Sequence, residues 1–412
     1  MPVAVIILFI TLVAIALRRV ARTIIPIWAI MAFGAIAALL CQQITPVQAI
    51  AAIEADVMAY LLGVFFIAQA AEESGYLEQL THNIFYHACT GKHALFIVVF
   101  ILGTSAALLM NDTVAIIGTP IILQLCKSHK SLIKPLLFAL AFSVTIGSAL
   151  SPVGNPQNLL IAVKGEMMSP FLDFFMPLAI PTILNLIICY LLIYVVYKDR
   201  LEESLEKAMP MPIRDFRTVA LVKLSLIMMI CLVFTKVIMD FAHTGFRINF
   251  SYIALISAIP LLLSKQKWLF LRKLDWGTLI FFASTFVLMQ SVWNSGFFQA
   301  NIHHYHMSLI SPMAILVISV LLSQFISNVP LVALYLPLLM QAEHSNLQLL
   351  TLAVGSTIGG NLSILGAAST IIIIQNSEKR GIKGFGFLEF IKLGLPLTTF
   401  NILVYVCFFK SY

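Results

Sequence analysis

The chain has 412 residues, of which 60% are hydrophobic and only 10% charged, with a formal net charge of +7. A soluble domain carries about a quarter charged residues, so the composition argues against a soluble enzyme. It also argues against nucleic-acid binding, because the Lys and Arg lie in short stretches between apolar runs, not on one basic face. The six Cys, at positions 41, 89, 126, 189, 231 and 407, are scattered without CxxC spacing and read as small hydrophobes rather than disulfides or metal ligands.

Many apolar runs approach the roughly 20 residues of a bilayer span, and the short alternating strands of a membrane barrel are absent. The expected fold is an all-α polytopic membrane protein. Spans are predicted over Val3–Leu17, Ile24–Cys41 and Asp56–Ala71, followed by a short polar segment and a re-entrant hairpin, His93–Cys126. A broken span Pro135–Val163 and a span Phe171–Tyr197 close a first half over 1–197. The first run reads as an uncleaved span, since Arg18, Arg19 and Arg22 follow it rather than precede it.

A linker over 198–218, rich in charge and carrying Pro210 and Pro212, leads into a second half over 219–412. That half repeats the series: Val219–Phe241, Asn249–Ser264, Asp275–Asn294, a polar segment, a hairpin Pro312–Gln341, a broken span Leu347–Gln375 and Phe387–Phe409. Asp56 and Asp275 open the matching third spans, and Ser74-Gly75-Tyr76 is answered by Ser295-Gly296-Phe297. Thr145–Gly154 returns as Thr357–Gly366, 212 residues later, with six of ten positions identical.

Five full crossings per half is an odd number, so the two repeats must run in opposite directions across the membrane. With both termini outside, 21 of the 25 Lys and Arg fall in inner loops, leaving Lys164, Lys236, Arg247 and Lys410 outside. This predicts two inverted-topology repeats in the cell (inner) membrane, with hairpins entering from opposite faces. Backbone at that depth is tolerated where it is buried in protein or lines a wet cavity, and matched broken segments point to a transporter's binding site.

The candidate site residues follow from those breaks. One hairpin tip reads Met110-Asn111-Asp112-Thr113 and the other Ser327-Asn328-Val329-Pro330, with Pro120 and Pro337 nine residues beyond each Asn. A turn between two half-helices exposes carbonyls that attract a cation and N–H groups that attract an anion. Simple helix capping is the plainer alternative for these Asn and Ser. The first broken span reads Ser151-Pro152-Val153-Gly154-Asn155-Pro156-Gln157-Asn158, where two prolines interrupt the helix. The second has no proline and must break at Gly359, Gly360 and Gly366, with Asn361, Ser363, Ser369 and Thr370 as candidate ligands. Asp112 binds a coupling cation, carries a proton, or pairs with backbone N–H groups; the residues leave all three open. His303-His304-Tyr305-His306 has the look of a metal tract, but an interfacial helix explains it better, and the same holds for His82 and His87. No nucleotide-binding or hydrolytic motif is present, so neither ATP hydrolysis nor enzymatic catalysis is expected.

At these residues the sequence resembles the ion transporter superfamily, which groups divalent anion:sodium symporters, citrate transporters, arsenite permeases and some sodium/proton antiporters. Gly154-Asn155-Pro156-Gln157-Asn158 is similar to the symporters' Gly-Thr-Pro-Pro-Asn loop, and Ser327-Asn328 and Met110-Asn111 resemble their Ser-Asn-Thr tips. Asn111-Asp112 resembles the Asn-Asp of the arsenite permease branch. The resemblance implies sodium and substrate sites near mid-membrane, a transport domain moving against a scaffold, and homodimers. Carried over by position, it assigns Asn111, Gly154, Asn155, Pro156 and Asn158 to one half-site and Ser327, Asn328, Gly366, Ser369 and Thr370 to the other. Sodium would sit at Asn111, Asp112, Gly154, Asn328 and Gly366, beside Thr113 and Asn361, with no other cofactor. Met110 and Asp112 stand where the symporters carry Ser and Thr, and Val329 and Ala367-Ala368 also depart, so the resemblance does not by itself fix dicarboxylate specificity or a two-sodium stoichiometry.

The expected function is a secondary active transporter of a small anion or oxyanion, di- or tricarboxylate-like or inorganic, coupled to Na+ or H+ by alternating access. Its partners would be that anion, the coupling cation, the lipid bilayer and a second copy of the chain, with no nucleic acid. A cation/proton antiporter using Asp112 and an arsenite-type efflux permease are the alternatives.

Overall fold

The computed structural model describes residues 2–17, 25–86, 88–205, 215–241, 248–297, 311–326, 328–341, 345–364, 366–382 and 384–410. They are almost entirely helical, and the β pairing among them is an isolated bridge between Thr90 and Ser204. Seven of the described helices are long and apolar enough to cross a membrane.

In the first half the helices are α1 (Val3–Leu17), α2 (Ile27–Leu40), α3 (Pro46–Ala52), α4 (Ala55–Ser74) and α5 (Tyr76–Phe85). The hairpin follows as α6 (Gly91–Phe96), a π-helical stretch Ile97–Leu102, α7 (Gly103–Leu109) and α8 (Asn111–Leu125). The broken span is α9 (Ile133–Ser148) and α10 (Pro156–Lys164), and α11 (Pro170–Leu201) completes the half. The second half runs α12 (Phe216–Phe241), α13 (Phe250–Ala258), α14 (Lys267–Lys273), α15 (Trp276–Asn294), hairpin arms α16 (Pro312–Ile326) and α17 (Asn328–Met340), α18 (Asn346–Gly359) and α19 (Ala368–Lys379), and α20 (Phe387–Phe409).

The predicted elements are present, with boundary differences of a few residues. The last helix of the first half, expected to stop at Tyr197, continues to Leu201 across a non-helical Tyr197 and so enters the expected linker. Short α3 and α14, each placed just before a third span, were not anticipated; seven residues carry too little apolar periodicity to be seen.

Packing between the halves is reciprocal. The second helix of each half, α2 or α13, lies against the third span of the other, α15 or α4. The hairpin return arms exchange in the same way, α8 packing on α19 and α17 on α10, and the last helices, α11 and α20, meet each other. Pairwise exchange of this kind is what a two-fold relation between halves produces. Local geometry repeats too: Gly75 and Gly296 take φ of 80° and 72°, and the preceding Ser74 and Ser295 each accept the N–H two residues on at 3.4 Å.

Small residues permit the close crossings, as expected where apolar burial gives no driving force between helices. A Cβ at Gly147 in α9 would collide with the Gly103 carbonyl of α7. Gly359, 212 residues later in α18, would collide with the Ser323 hydroxyl of α16. The repeated Thr-Ile-Gly therefore serves first as a packing surface for the hairpin's leading arm.

Candidate functional site

The first hairpin turns at Met110, whose φ of 67° and ψ of 143° lie where side chains are strained. That turn starts α8 at Asn111 and buries Asn111, Asp112 and Thr113. The Asn111 N–H donates to the Gly154 carbonyl at 2.8 Å, so the tip closes on the first broken span. Gly154 is required there, since a Cβ would meet the Ser148 carbonyl.

Asn155 stands at the N-cap of α10 and Pro156 at its first position, the pairing that a helix start favours. The Asn155 Oδ1 accepts the Asn158 N–H at 2.8 Å, and its Nδ2 donates to Ser148 Oγ at 3.0 Å and Thr357 Oγ1 at 3.1 Å. Asn158 Nδ2 donates to the Ser148 and Ser151 carbonyls at 3.2 and 3.1 Å, tying the loop to the end of α9. Both residues, singled out as ligands, thus hold the loop together. Thr357, passed over as a ligand, joins the halves: its hydroxyl meets Asn155, Asn158 and Gln157. Its counterpart Thr145 instead donates to the Ala141 carbonyl within its own helix, a difference the shared motif conceals.

The second half keeps more of its oxygens free. Asn328 Oδ1, both amide atoms of Asn361, Ser369 Oγ and Thr370 Oγ1 are buried without a hydrogen-bond partner, and Thr113 Oγ1 in the first half shares that condition. The Asn328 amide faces Gly360, where a Cβ would lie 3.3 Å from Nδ2. Gln324 was not anticipated. Its Nε2 donates to the Gly359 carbonyl at 2.7 Å, while its unpartnered Oε1 lies beside Gly366. A Gln one helical turn before a hairpin tip was the available signal. Ser363 is buried in the same loop, whereas Ser327 and the His303–His306 tract lie outside the described residues.

Asp112 is buried in the first turn of α8, where the helix dipole favours its charge. Asp275, at the N-cap of α15, accepts from the Thr278 N–H at 3.2 Å and hydroxyl at 2.6 Å.

Half-helices broken at matched places are the arrangement that many secondary transporters place around their binding sites. A family model described as citrate transporter matches residues 6–353, and the chain belongs to that family. It is 25% identical over 379 residues to a 46 kDa membrane protein of Mycobacterium leprae (strain TN), covering 85% of this chain and 84% of the relative. It is 22% identical over 451 residues to a putative transporter arsB of Dictyostelium discoideum, covering 80% and 79%. The solved structure of Neisseria gonorrhoeae MtrF, described as illuminating a class of antimetabolite efflux pumps, matches with a TM-score of 0.52 at 14% identity, over 99% of this chain and 94% of that one, which is a likeness of fold. The protein is an integral membrane transporter of the citrate/arsenite permease type.

Proposed function

We propose that the chain is a secondary active transporter of a small anion or oxyanion, coupled to Na+ or H+ and working by alternating access. The observation that carries this is the contrast between the two breaks. The first is closed on itself through Asn111, Gly154, Asn155 and Asn158, and the second leaves the oxygens of Asn328, Asn361, Ser369 and Thr370 buried and unpartnered. Neutral amide and hydroxyl oxygens suit a monovalent cation, and unpaired polar groups within a membrane are costly enough to need a role. The half-helix N-termini at Asn328 and Ala368 then supply N–H groups for an anion without Lys or Arg. Residues 1–197 and 219–412 act as inverted repeats in the cell membrane with both termini outside, joined by the 198–218 linker; reciprocal packing and the basic inner loops support this. A homodimer with fixed scaffold helices is the assembly that the family resemblance suggests.

Buried Asp112, at the first hairpin tip, supports a second reading in which Asp112 exchanges a cation for a proton and no anion is carried. An arsenite-type efflux permease is the third, supported by the name of the Dictyostelium relative. A thermal-shift screen of the purified protein separates them: citrate, other di- and tricarboxylates, phosphate, sulfate and arsenite, each with and without NaCl. At least one carboxylate or inorganic anion should raise the unfolding midpoint in a cation-dependent way, and Asn328→Ala should abolish that response. A response to arsenite alone selects the efflux permease. No anion response, together with Asp112-dependent cation/proton exchange in vesicles, replaces the proposal with the antiporter.

A further inference from the structure

Three helix faces enclose a cavity of about 350 Å³ on the side where α10 and α17 end. α15 lines it with Phe286, Met289, Gln290 and Trp293, and α17 with Ala333, Leu336, Pro337 and Met340. Both sets follow the same 3-1-3 spacing, which places each on one helix face. α10 adds Leu160 and Lys164, one turn apart. At about 1.5 Å of rise per residue, each of the two long walls is about 10 Å deep. The lining on α17 begins at Ala333, five residues and about 8 Å along the helix from Asn328, so the cavity is separate from the breaks.

Polarity changes along that depth. Phe286, Ala333 and Leu336 give apolar walls at the end nearer the breaks, while Glu54, Lys164, Trp293 and Gln341 gather where their helices begin or end. Glu54 Oε1 and Lys164 Nζ are 2.8 Å apart at this mouth, joining the start of α4 to the end of α10. Their side chains are 19% and 53% exposed, so the pair is within reach of water. An ion pair in that setting contributes little to stability, and an incoming acid group can take the place of Glu54. The chain's own carboxylate thus shows which group Lys164 accepts in this cavity.

We infer that this cavity binds an organic monocarboxylate with a compact apolar body, its acid group on Lys164 in place of Glu54 and its body between α15 and α17. Ligand sites are typically clefts of about 300–1,000 Å³, largely apolar, with a few polar groups that fix orientation. Lys164 is the cation among the described lining residues, and it balances one carboxylate. A second or third, as in citrate, would lie beside the displaced Glu54 or against the apolar walls, where an unpaired charge is costly. A neutral alcohol of the same length leaves the Glu54–Lys164 pair intact and gains apolar burial alone. The bound acid bridges α15 to α10 and α17 without touching the loops of the broken spans.

The test uses the full-length protein in phosphatidylcholine nanodiscs, with equilibrium binding of radiolabelled phenylacetate as the readout. Binding should be saturable, displaced by hexanoate, and displaced by neither hexanol nor citrate. Lys164→Gln should raise the Kd about tenfold, the loss of one charge-assisted hydrogen bond. Glu54→Gln should lower it severalfold, because the competing carboxylate is gone; a residue that only braced the fold would not tighten binding when replaced. Ala333→Trp, which fills the cavity, should abolish binding. Asn328→Ala should bind phenylacetate as the wild type does while losing the cation-dependent anion response, so this inference and the transporter reading fail separately. The inference is overturned if binding is not saturable, if hexanol displaces the probe as well as hexanoate, or if Asn328→Ala abolishes binding. It is equally overturned if Lys164→Gln and Glu54→Gln leave the Kd unchanged or move it in the same direction.

Discussion

Replacing Asn155 with Ala tests whether the first broken span is held by its own side chains. The substitution removes the acceptor for the Asn158 N–H at 2.8 Å and the donors to Ser148 and Thr357 at 3.0 and 3.1 Å. A lost helix cap costs about 1 kcal/mol and each of two membrane-buried side-chain bonds about 0.6 kcal/mol, a total of about 2 kcal/mol. With an unfolding entropy of about 2 cal/mol/K per residue, the 412-residue chain should lose about 2–3 °C in unfolding midpoint. Asn155→Ser, which can still cap α10 but cannot span to Thr357, should lose about half of that. Differential scanning fluorimetry in detergent gives the midpoints, and uptake into vesicles gives transport, which should fall in both variants because Thr357 lies on the other half. A midpoint for Asn155→Ala within about half a degree of wild type would refute the reasoning, since a side chain with three broken bonds cannot be silent.

Asp112→Asn should change the cation or pH dependence of transport more than its apparent substrate affinity, measured as initial uptake rates across pH and Na+ concentration; unchanged dependence removes Asp112 from coupling. Single cysteines at Ser128 and Lys265 should react with an impermeant maleimide from the inside and one at Asn346 from the outside; the reverse pattern refutes the inverted arrangement. Lys265 is exposed there, whereas the neighbouring Ser264 is buried and bonded to Thr218. Asp215, at the head of α12, has its carboxyl held below the usual carboxylate range, chiefly by the Thr218 hydroxyl and N–H. A carboxylate favoured in the folded state stabilises at neutral pH, and that contribution fades as pH falls through the lowered value. Asp215→Asn should therefore lower the midpoint at neutral pH and match wild type in acid, as melts across that range will show.

Much of the architecture was legible in the chain because membrane helices announce themselves by length and apolar content. The breaks at Pro156, Gly359 and the two hairpin tips follow from residues that cannot stay helical or that begin helices well. The roles of the ligand candidates were less legible. Asn155, Asn158 and Asn361 are the same residue type at similar breaks, yet the first two have partners on Ser148 and Thr357 and the third has none for its amide. Side-chain type sets what an amide can bond; the neighbours decide whether it has already done so. Gln324 and Thr357 escaped for the same reason, since their partners lie on other helices.

The sequence by itself determined a helical membrane protein built from two similar halves, each with one hairpin and one interrupted span, because apolar run length and proline or glycine chemistry are local. Tertiary structure alone decided which polar atoms are consumed by structure and which remain. The repeated Thr-Ile-Gly is the clearest case. Gly147 and Gly359 use it alike, to let a hairpin arm approach, while Thr145 bonds its own helix and Thr357 bridges the halves. A hydroxyl bonds whatever acceptor or donor packing brings within about 3 Å, and packing between distant segments is not written at any one position of the chain.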